Sequence, residues 1–310
     1  MKKNTHLYVD QENPVAMFMP DIAPYYYTDF GAAYLGDSAQ LLKKVPSESV
    51  DLVLTSPPYA LVFKKEYGNV DAKDYIDWFL SFSDDIKRVL KPSGSFVLNI
   101  GGCWNKGAPT RSLYQFELLL ALAKKFHLAQ EFFWYNPAKL PAPAEWVNVR
   151  RIRVKDSVEY VWWFSKTEDP KADNRKVLAP YSHDMERIIK KGYRAKRRPS
   201  GHNITSKFQK DQGGSIPPNL LRIGNTDSSS EYLKKCEELG VSPHPARFPP
   251  ELPEFFIKFL TDPGDLVLDP FGGSNVTGRS AENLKRKWLC FDLVREYLDG
   301  SMFRFDFTYT

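Results

Sequence analysis

Thr55-Ser56-Pro57-Pro58-Tyr59 is the stretch whose residue types could do chemistry. It follows Val50-Asp51-Leu52-Val53-Leu54, a short aliphatic run of the kind that forms a buried strand. Two consecutive prolines stop such a strand and hold a rigid, extended turn whose nitrogens carry no hydrogen. A small hydroxyl precedes them and an aromatic ring follows. The result is a stiff, acceptor-rich ledge with a stacking surface, suited to gripping a flat ring that bears an amino group. A proline-terminated strand with a core tyrosine accounts for these five residues equally well, so the ledge has to be weighed with its surroundings.

A second constellation lies near the C-terminus. Leu266-Val267-Leu268-Asp269 reads as a strand, Pro270-Phe271-Gly272-Gly273-Ser274-Asn275 as a tight glycine turn opening a helix, and Trp288–Phe291 as a further strand ending in Asp292. Strand, glycine turn, helix and a second strand-end carboxylate form the general plan for holding an adenosine-like ligand. The glycines miss the GxGxxG spacing of dinucleotide sites. Gly273 to Ser280 comes close to a phosphate-binding loop but has Arg279 where lysine is required. S-adenosylmethionine, which has no phosphate to cradle, fits the short turn best. Asp37 follows another short strand at a strand-to-helix turn, where it could face the same ligand or cap the helix.

The elements that must position these groups alternate between β and α patterns. An apolar stripe (Tyr75, Trp78, Phe79, Phe82, Ile86) marks a helix over about 72–90, and a strand over 95–100 ends at Asn99 and Gly101-Gly102. A second helix over 112–126 and strands over 129–135 and 157–165 follow. Such alternation predicts an α/β fold, a mostly parallel twisted sheet with helices on both faces. Residues 1–30 read as an arm lying over the domain.

Basic residues concentrate in the middle of the chain. Arg150 to Lys155 would place alternate cations, Arg151 and Arg153 among them, on one face if extended. Nine Lys/Arg and no acidic residue fall between Arg187 and Lys210, mixed with hydrogen-bonding side chains such as His202. This density suits a surface that neutralises phosphates and reads base edges, with Arg194, Lys196, Arg197 and Arg198 at its centre and Lys64 and Lys65 beside the ledge. The net charge of +5 over 310 residues is too mild to argue this alone. Three scattered cysteines give neither a disulfide framework nor a metal site, and no apolar run is long enough to span a membrane, so a reducing cytoplasm is expected.

With both constellations in place, the chain resembles the DNA amino-methyltransferases of the circularly permuted β class, in which a catalytic motif precedes a target-recognition region and the cofactor motifs come last. TSPPY, HPARFP, DPFGGSNVTG and Asp292 stand in that order. KLPAPAEWVN, RRIRVKDSVEYVWWFSKTE, GGSIPPNLL and HPARFPPELPEFF are further similar to the PvuII-type cytosine-N4 enzymes, and the similarity covers most of residues 33–305. The resemblance implies a permuted S-adenosylmethionine-dependent methyltransferase fold, with residues 1–165 as the catalytic half, 166–240 as an inserted target-recognition region and 241–310 as the cofactor half. It implies Ser56, Pro57, Pro58 and Tyr59 as the catalytic tetrad. Asp37, Phe248, Asp269, Phe271, Gly272, Gly273, Ser274, Asn275 and Asp292 would surround the methyl donor. Double-stranded DNA is the implied partner, CAGCTG the implied target, and a restriction endonuclease acting on the same site without direct contact the implied companion. Asn99 departs from the pattern, because the resemblance implies a carboxylate there. An amide can accept a hydrogen bond from an amino group but cannot take its proton.

C5 methylation of cytosine needs an attacking thiolate, usually after a proline, and none of the three cysteines has that setting. Adenine-N6 methylation would use the same ledge and is the near alternative. A DNA-binding protein with impaired catalysis and a nucleoside triphosphatase are the alternatives from other classes.

Overall fold

The computed structural model describes residues 14–60, 70–192, 210–226 and 230–305. They form two compact units, residues 1–171 with 219–310 and residues 172–218. The larger unit is built on a nine-stranded sheet. In chain order its elements are β1 (Tyr26–Tyr27), β2 (Gly31–Leu35), α1 (Ser38–Leu42), β3 (Val50–Thr55), α2 (Tyr75–Val89), β4 (Leu90–Ile100), α3 (Tyr114–Leu122), β5 (His127–Tyr135) and β6 (Val158–Ser165). The smaller unit contributes α4 (His183–Lys191). The larger then resumes with β7 (Leu220–Arg222), α5 (Glu231–Glu238), α6 (Glu251–Leu260), β8 (Leu266–Asp269), α7 (Val276–Asn283), β9 (Lys287–Asp292) and α8 (Arg295–Ser301).

The strand order is β1-β2-β9-β8-β3-β4-β6-β5-β7. From β2 to β4 every neighbour is parallel, which gives a five-stranded parallel block; β1, β6 and β5 are joined antiparallel and β7 parallel to β5. β3 and β8 are buried along their whole length, as central parallel strands with both faces covered should be. The residues of β3 feed two different cores. Val50 and Val53 pack with Leu41, Phe79 and Leu118 from α1, α2 and α3, whereas Leu52 and Leu54 pack with Phe256, Ala281 and Leu298 from α6, α7 and α8. The predicted helical stripe holds, with Tyr75, Phe79, Phe82 and Ile86 buried on α2. Because the block is parallel, the residues that end or follow its strands share one edge. Asp37, Asp292, Asp269, Ser56 and Asn99 are all there, which is where open α/β sheets bind ligands.

The sheet carries one irregularity, and two local expectations change. Lys91 to Gly94 lie within β4, yet the ladder jumps from Val50–Leu90 to Leu52–Ser95, so these residues bulge out of the register as the Pro-Ser-Gly sequence favours. From Tyr26 the N-terminal stretch joins the sheet instead of lying over it. Tyr26 and Tyr27 form the edge strand β1, and the buried Tyr26 hydroxyl bonds Ser301 and Asn275. Residues 150–155 are not extended, because a helical turn over Glu145–Val149 leads into Arg150 and Arg151 takes a positive φ of 55°.

The smaller unit, taken by itself, has a short 3-10 turn (Asn174–Val177), α4 capped by the Ser182 hydroxyl, and a bridge pairing Ala179 with Ser215. Among the described residues, no helix is long and apolar enough to cross a membrane, and no His/Cys/Asp/Glu cluster could hold a metal ion.

Candidate active site

The ledge is held from behind and below. The Thr55 hydroxyl donates to Asp269 Oδ1 at 2.6 Å, tying the end of β3 to the end of β8. The Tyr75 hydroxyl donates to the Pro58 carbonyl at 2.8 Å, fixing the second proline to α2. The Tyr59 ring lies over Gly101 just past β4, where a Cβ would approach it to 2.6 Å, so a larger residue there would displace the ring.

The Tyr59 hydroxyl is the centre of a polar cluster drawn from four segments. It donates to Glu159 Oε2 at 2.9 Å, accepts from Asn99 Nδ2 at 2.8 Å and lies 3.1 Å from Ser56 Oγ. Asn99 Nδ2 also reaches Ser56 Oγ at 3.3 Å and Glu159 Oε2 at 3.4 Å. Lys139 Nζ donates to the other carboxylate oxygen of Glu159 at 2.8 Å. Burial, with the Glu159 carboxylate alongside, holds the Tyr59 phenol well above its usual pKa. Asn99 is buried, and its Oδ1 has no hydrogen-bond partner.

The glycine turn is shaped by the strand-end carboxylates. Asp292 Oδ2 accepts from Gly273 N–H at 2.7 Å and Oδ1 from Val294 N–H at 2.8 Å, while burial raises its carboxyl pKa. Gly273 has a φ of +52°, and the His244 ring packs where its Cβ would be. A Cβ on Gly272 would meet Cys290 Sγ at 2.0 Å, so the turn can lie against β9 only with glycine there. Asp269 is fully enclosed. It accepts from Thr55, from Thr277 Oγ1 at 2.7 Å and from Phe271 N–H at 3.0 Å, and burial still lifts its carboxyl to about 6. Burial lowers His244 to about 4, with Arg247 and Arg304 adding to the effect, so its imidazole is neutral.

One cavity of about 830 Å³ joins the two constellations. Ser56, Pro57, Pro58, Tyr59, Asn99 and Glu159 line one part of it; Asp37, Phe248, Asp269, Phe271, Gly272, Gly273, Ser274 and Asp292 line the other. Asp37 is exposed and caps α1 by accepting from Ala39 N–H, so lining and capping coexist. Asn275 does not line the cavity. It is fully buried in the left-handed conformation, its Oδ1 caps α7 at Gly278 N–H, and its Nδ2 donates to Tyr26. This also disposes of the phosphate-loop reading. Gly278 N–H is taken by that cap and Arg279 lies over the Phe305 ring, so Gly273–Ser280 does not form a cradle of free amides.

The expected DNA contacts are placed unevenly. Lys64, Lys65, Arg194, Lys196, Arg197, Arg198 and His202 lie outside the described residues. Arg151 is exposed, but Arg153 is engaged with Asp156 at 3.1 Å, as is Arg111 at 3.0 Å. The pairing of Arg151 and Arg153 on one extended face is therefore corrected. Sequence reasoning missed Glu159 and Lys139. The available signal was a carboxylate two positions before Val161 and four before Trp163, on the face of β6 that those apolar residues share.

A parallel block with a catalytic-type ledge at one strand end and a glycine turn at the next, in permuted chain order, defines a cofactor-dependent α/β transferase. The chain belongs to the DNA methylase family, whose profile matches residues 50–303. It is 55% identical over 287 residues to the type II methyltransferase M.PvuII of Proteus hauseri, covering 91% of this chain and 85% of that one. The solved structure of the PvuII DNA methyltransferase (cytosine-N4-specific) superposes with a TM-score of 0.75 at 49% identity, covering 91% of this chain and 88% of the other. A DNA modification methylase of Thermus thermophilus in complex with S-adenosyl-L-methionine shares the fold alone, at 20% identity and a TM-score of 0.54 over 88% of this chain and 91% of that one.

Proposed function

We propose that this chain methylates the exocyclic N4 amino group of a cytosine flipped out of duplex DNA, with S-adenosylmethionine as donor. The observation that carries this reading is the single cavity that holds the Ser-Pro-Pro-Tyr ledge at one end and the glycine turn with Asp292 at the other. The residues present fit the donor. Asp292 has lone pairs left for ribose hydroxyls, Phe271 and Phe248 offer apolar walls, and no array of free amides demands a phosphate. Asp37 and Ser274 complete that end. When bound there, S-adenosylmethionine supplies an electrophilic methyl group.

The chain's own residues then do the rest. Tyr59 presents its ring face for the extruded base to stack on, with its hydroxyl anchored so that the ring cannot swing. Ser56 Oγ and the Pro57 carbonyl accept the amino hydrogens. That favours a pyramidal nitrogen, whose lone pair is no longer delocalised into the ring, and so stabilises the transition state over the ground state. Pro58 is rigidly tied to α2 and keeps the ledge from yielding. Residues 166–240, with the compact unit 172–218 among them, serve as the target-recognition region in this reading, and the flanking segments as the two halves of the catalytic domain. Type II enzymes pair with an endonuclease, so a cognate nuclease acting on the same site, CAGCTG, and a cytoplasmic location complete the proposal.

Incubating the protein with tritiated S-adenosylmethionine and mixed-sequence DNA, then separating the nucleosides, tests it. N4-methylcytosine is the expected product; N6-methyladenine or 5-methylcytosine alone would overturn the assignment. Duplex oligonucleotides with and without CAGCTG test the site in the same assay.

A further inference from the structure

Methyl transfer to an amino group leaves a positively charged nitrogen that must lose a proton, and Asn99 cannot accept it. We infer that Glu159, reaching in from β6, is the carboxylate that takes this proton. The inference rests on the methyltransferase reading above.

Among the described residues, four carboxylates line the cavity: Asp37, Glu159, Asp269 and Asp292. Asp37 and Asp292 are committed to the amides of α1 and the glycine turn. Asp269 is buried, with its oxygens turned to the Thr55 and Thr277 hydroxyls and the Phe271 amide. Glu159 is the one bonded to the ledge tyrosine, and its Oε2 is also 3.4 Å from Asn99 Nδ2. Lys139 balances its charge from the side away from Tyr59, through Oε1. β4 and β6 run antiparallel with Asn99 opposite Val161, so Glu159 sits two residues along from Asn99's partner and on the same face of the sheet. The buried and unpartnered Oδ1 of Asn99 adds an acceptor short of a donor at the same place.

The step balances as follows in atoms and charge. The amino nitrogen's lone pair forms the N–C bond to the methyl carbon while the C–S bond breaks and its electron pair passes to sulfur. The nitrogen, now cationic, releases one N–H proton to Glu159 Oε2, leaving a neutral methylamino base and a neutral carboxylic acid. The acid returns its proton to water once the product leaves. The Asn99 amide, bonded to Ser56 Oγ and to the Tyr59 hydroxyl, orients both.

Glu159→Gln discriminates between a base and a positioning group, because the amide oxygen still accepts from Tyr59 but takes no proton. The assay is single-turnover methylation of duplex DNA with cofactor affinity measured alongside. E159Q is expected to lose roughly 10²-fold or more in rate, with cofactor Kd within threefold of wild type, and N99D in the same chain to restore at least tenfold of that loss. Turnover of E159Q within threefold of wild type overturns the inference, as does a loss that the added Asn99→Asp leaves untouched. If E159Q does not fold, Glu159→Asp keeps the charge but withdraws it by one methylene; a rate loss at unchanged Kd supports the role and an unchanged rate overturns it. A wild-type protein that transfers no label to DNA would instead sink the methyltransferase reading itself.

Discussion

The two ends of the cavity are made in different ways. At the glycine-turn end the two buried carboxylates, Asp269 and Asp292, lie within one span, Asp269 to Val294, and bond mainly to backbone amides of that span. At the ledge end the polar groups are side chains bonded to side chains, from Ser56 and Tyr59, Asn99, Lys139 and Glu159, with Tyr59 and Glu159 separated by 100 positions. A donor site shaped by backbone survives as a local pattern. A reacting site assembled from several strands depends on the sheet to bring its members together.

Asp269 is where the two ends touch, and replacing it should break both. Asp269→Ala leaves the Thr55 and Thr277 hydroxyls and the Phe271 amide unpaired in a dry interior, at roughly 3–6 kcal/mol of stability in total. Denaturant unfolding should show that loss, with rate and cofactor affinity falling together. If only one of the two fell, the ends would be independent.

Next in size is a pH effect whose sign differs between Asp269 and His244. The folded pKa of Asp269 is raised to about 6 from 3.8, so the folded state binds the proton more tightly. Its contribution to stability is largest below pH 4 and is lost as pH rises through 6, by about 3 kcal/mol. His244 is lowered to about 4 from 6.5, so its contribution is full above 6.5 and is lost as pH falls through 4. His244 is only partly buried, so solvent screening trims its effect. The two oppose each other between pH 4 and 6.5. Asp269→Asn should therefore make the protein more acid-sensitive than wild type across that window, and His244→Asn less so. Melting temperatures against pH check both, and slopes of the opposite sign would contradict the burial argument.

The smallest effect concerns Asn275. As an N-cap turned away from the cavity, its replacement by alanine should cost about 1–2 kcal/mol of stability and leave the cofactor Kd within threefold. A larger change in affinity would return it to the cofactor site.

Those contrasts also separate what is local in the chain from what the fold alone creates. The order ledge, basic region, glycine turn and Asp292 was legible because strand-end prolines and glycine turns leave local signatures, and the parallel block followed from βα alternation. The bulge at Lys91–Gly94 left only a gap between the expected helix and strand, since register is a property of two strands. Asn275 was placed among the cofactor residues by the resemblance, and a motif does not reveal which way a left-handed residue points its side chain. Glu159 was missed for the opposite reason, being adjacent to nothing in the motif. Its role depends on the antiparallel pairing of β4 with β6, which no local spacing encodes.

Ser56→Ala tests the division of labour most directly, with single-turnover rate and cofactor Kd measured on the same preparation. The ledge should lose roughly 10²-fold in rate, while the far end, untouched, keeps its Kd within threefold. A variant that keeps near-wild-type turnover would contradict the assignment of chemistry to the ledge, and so would one whose whole defect lies in binding the cofactor.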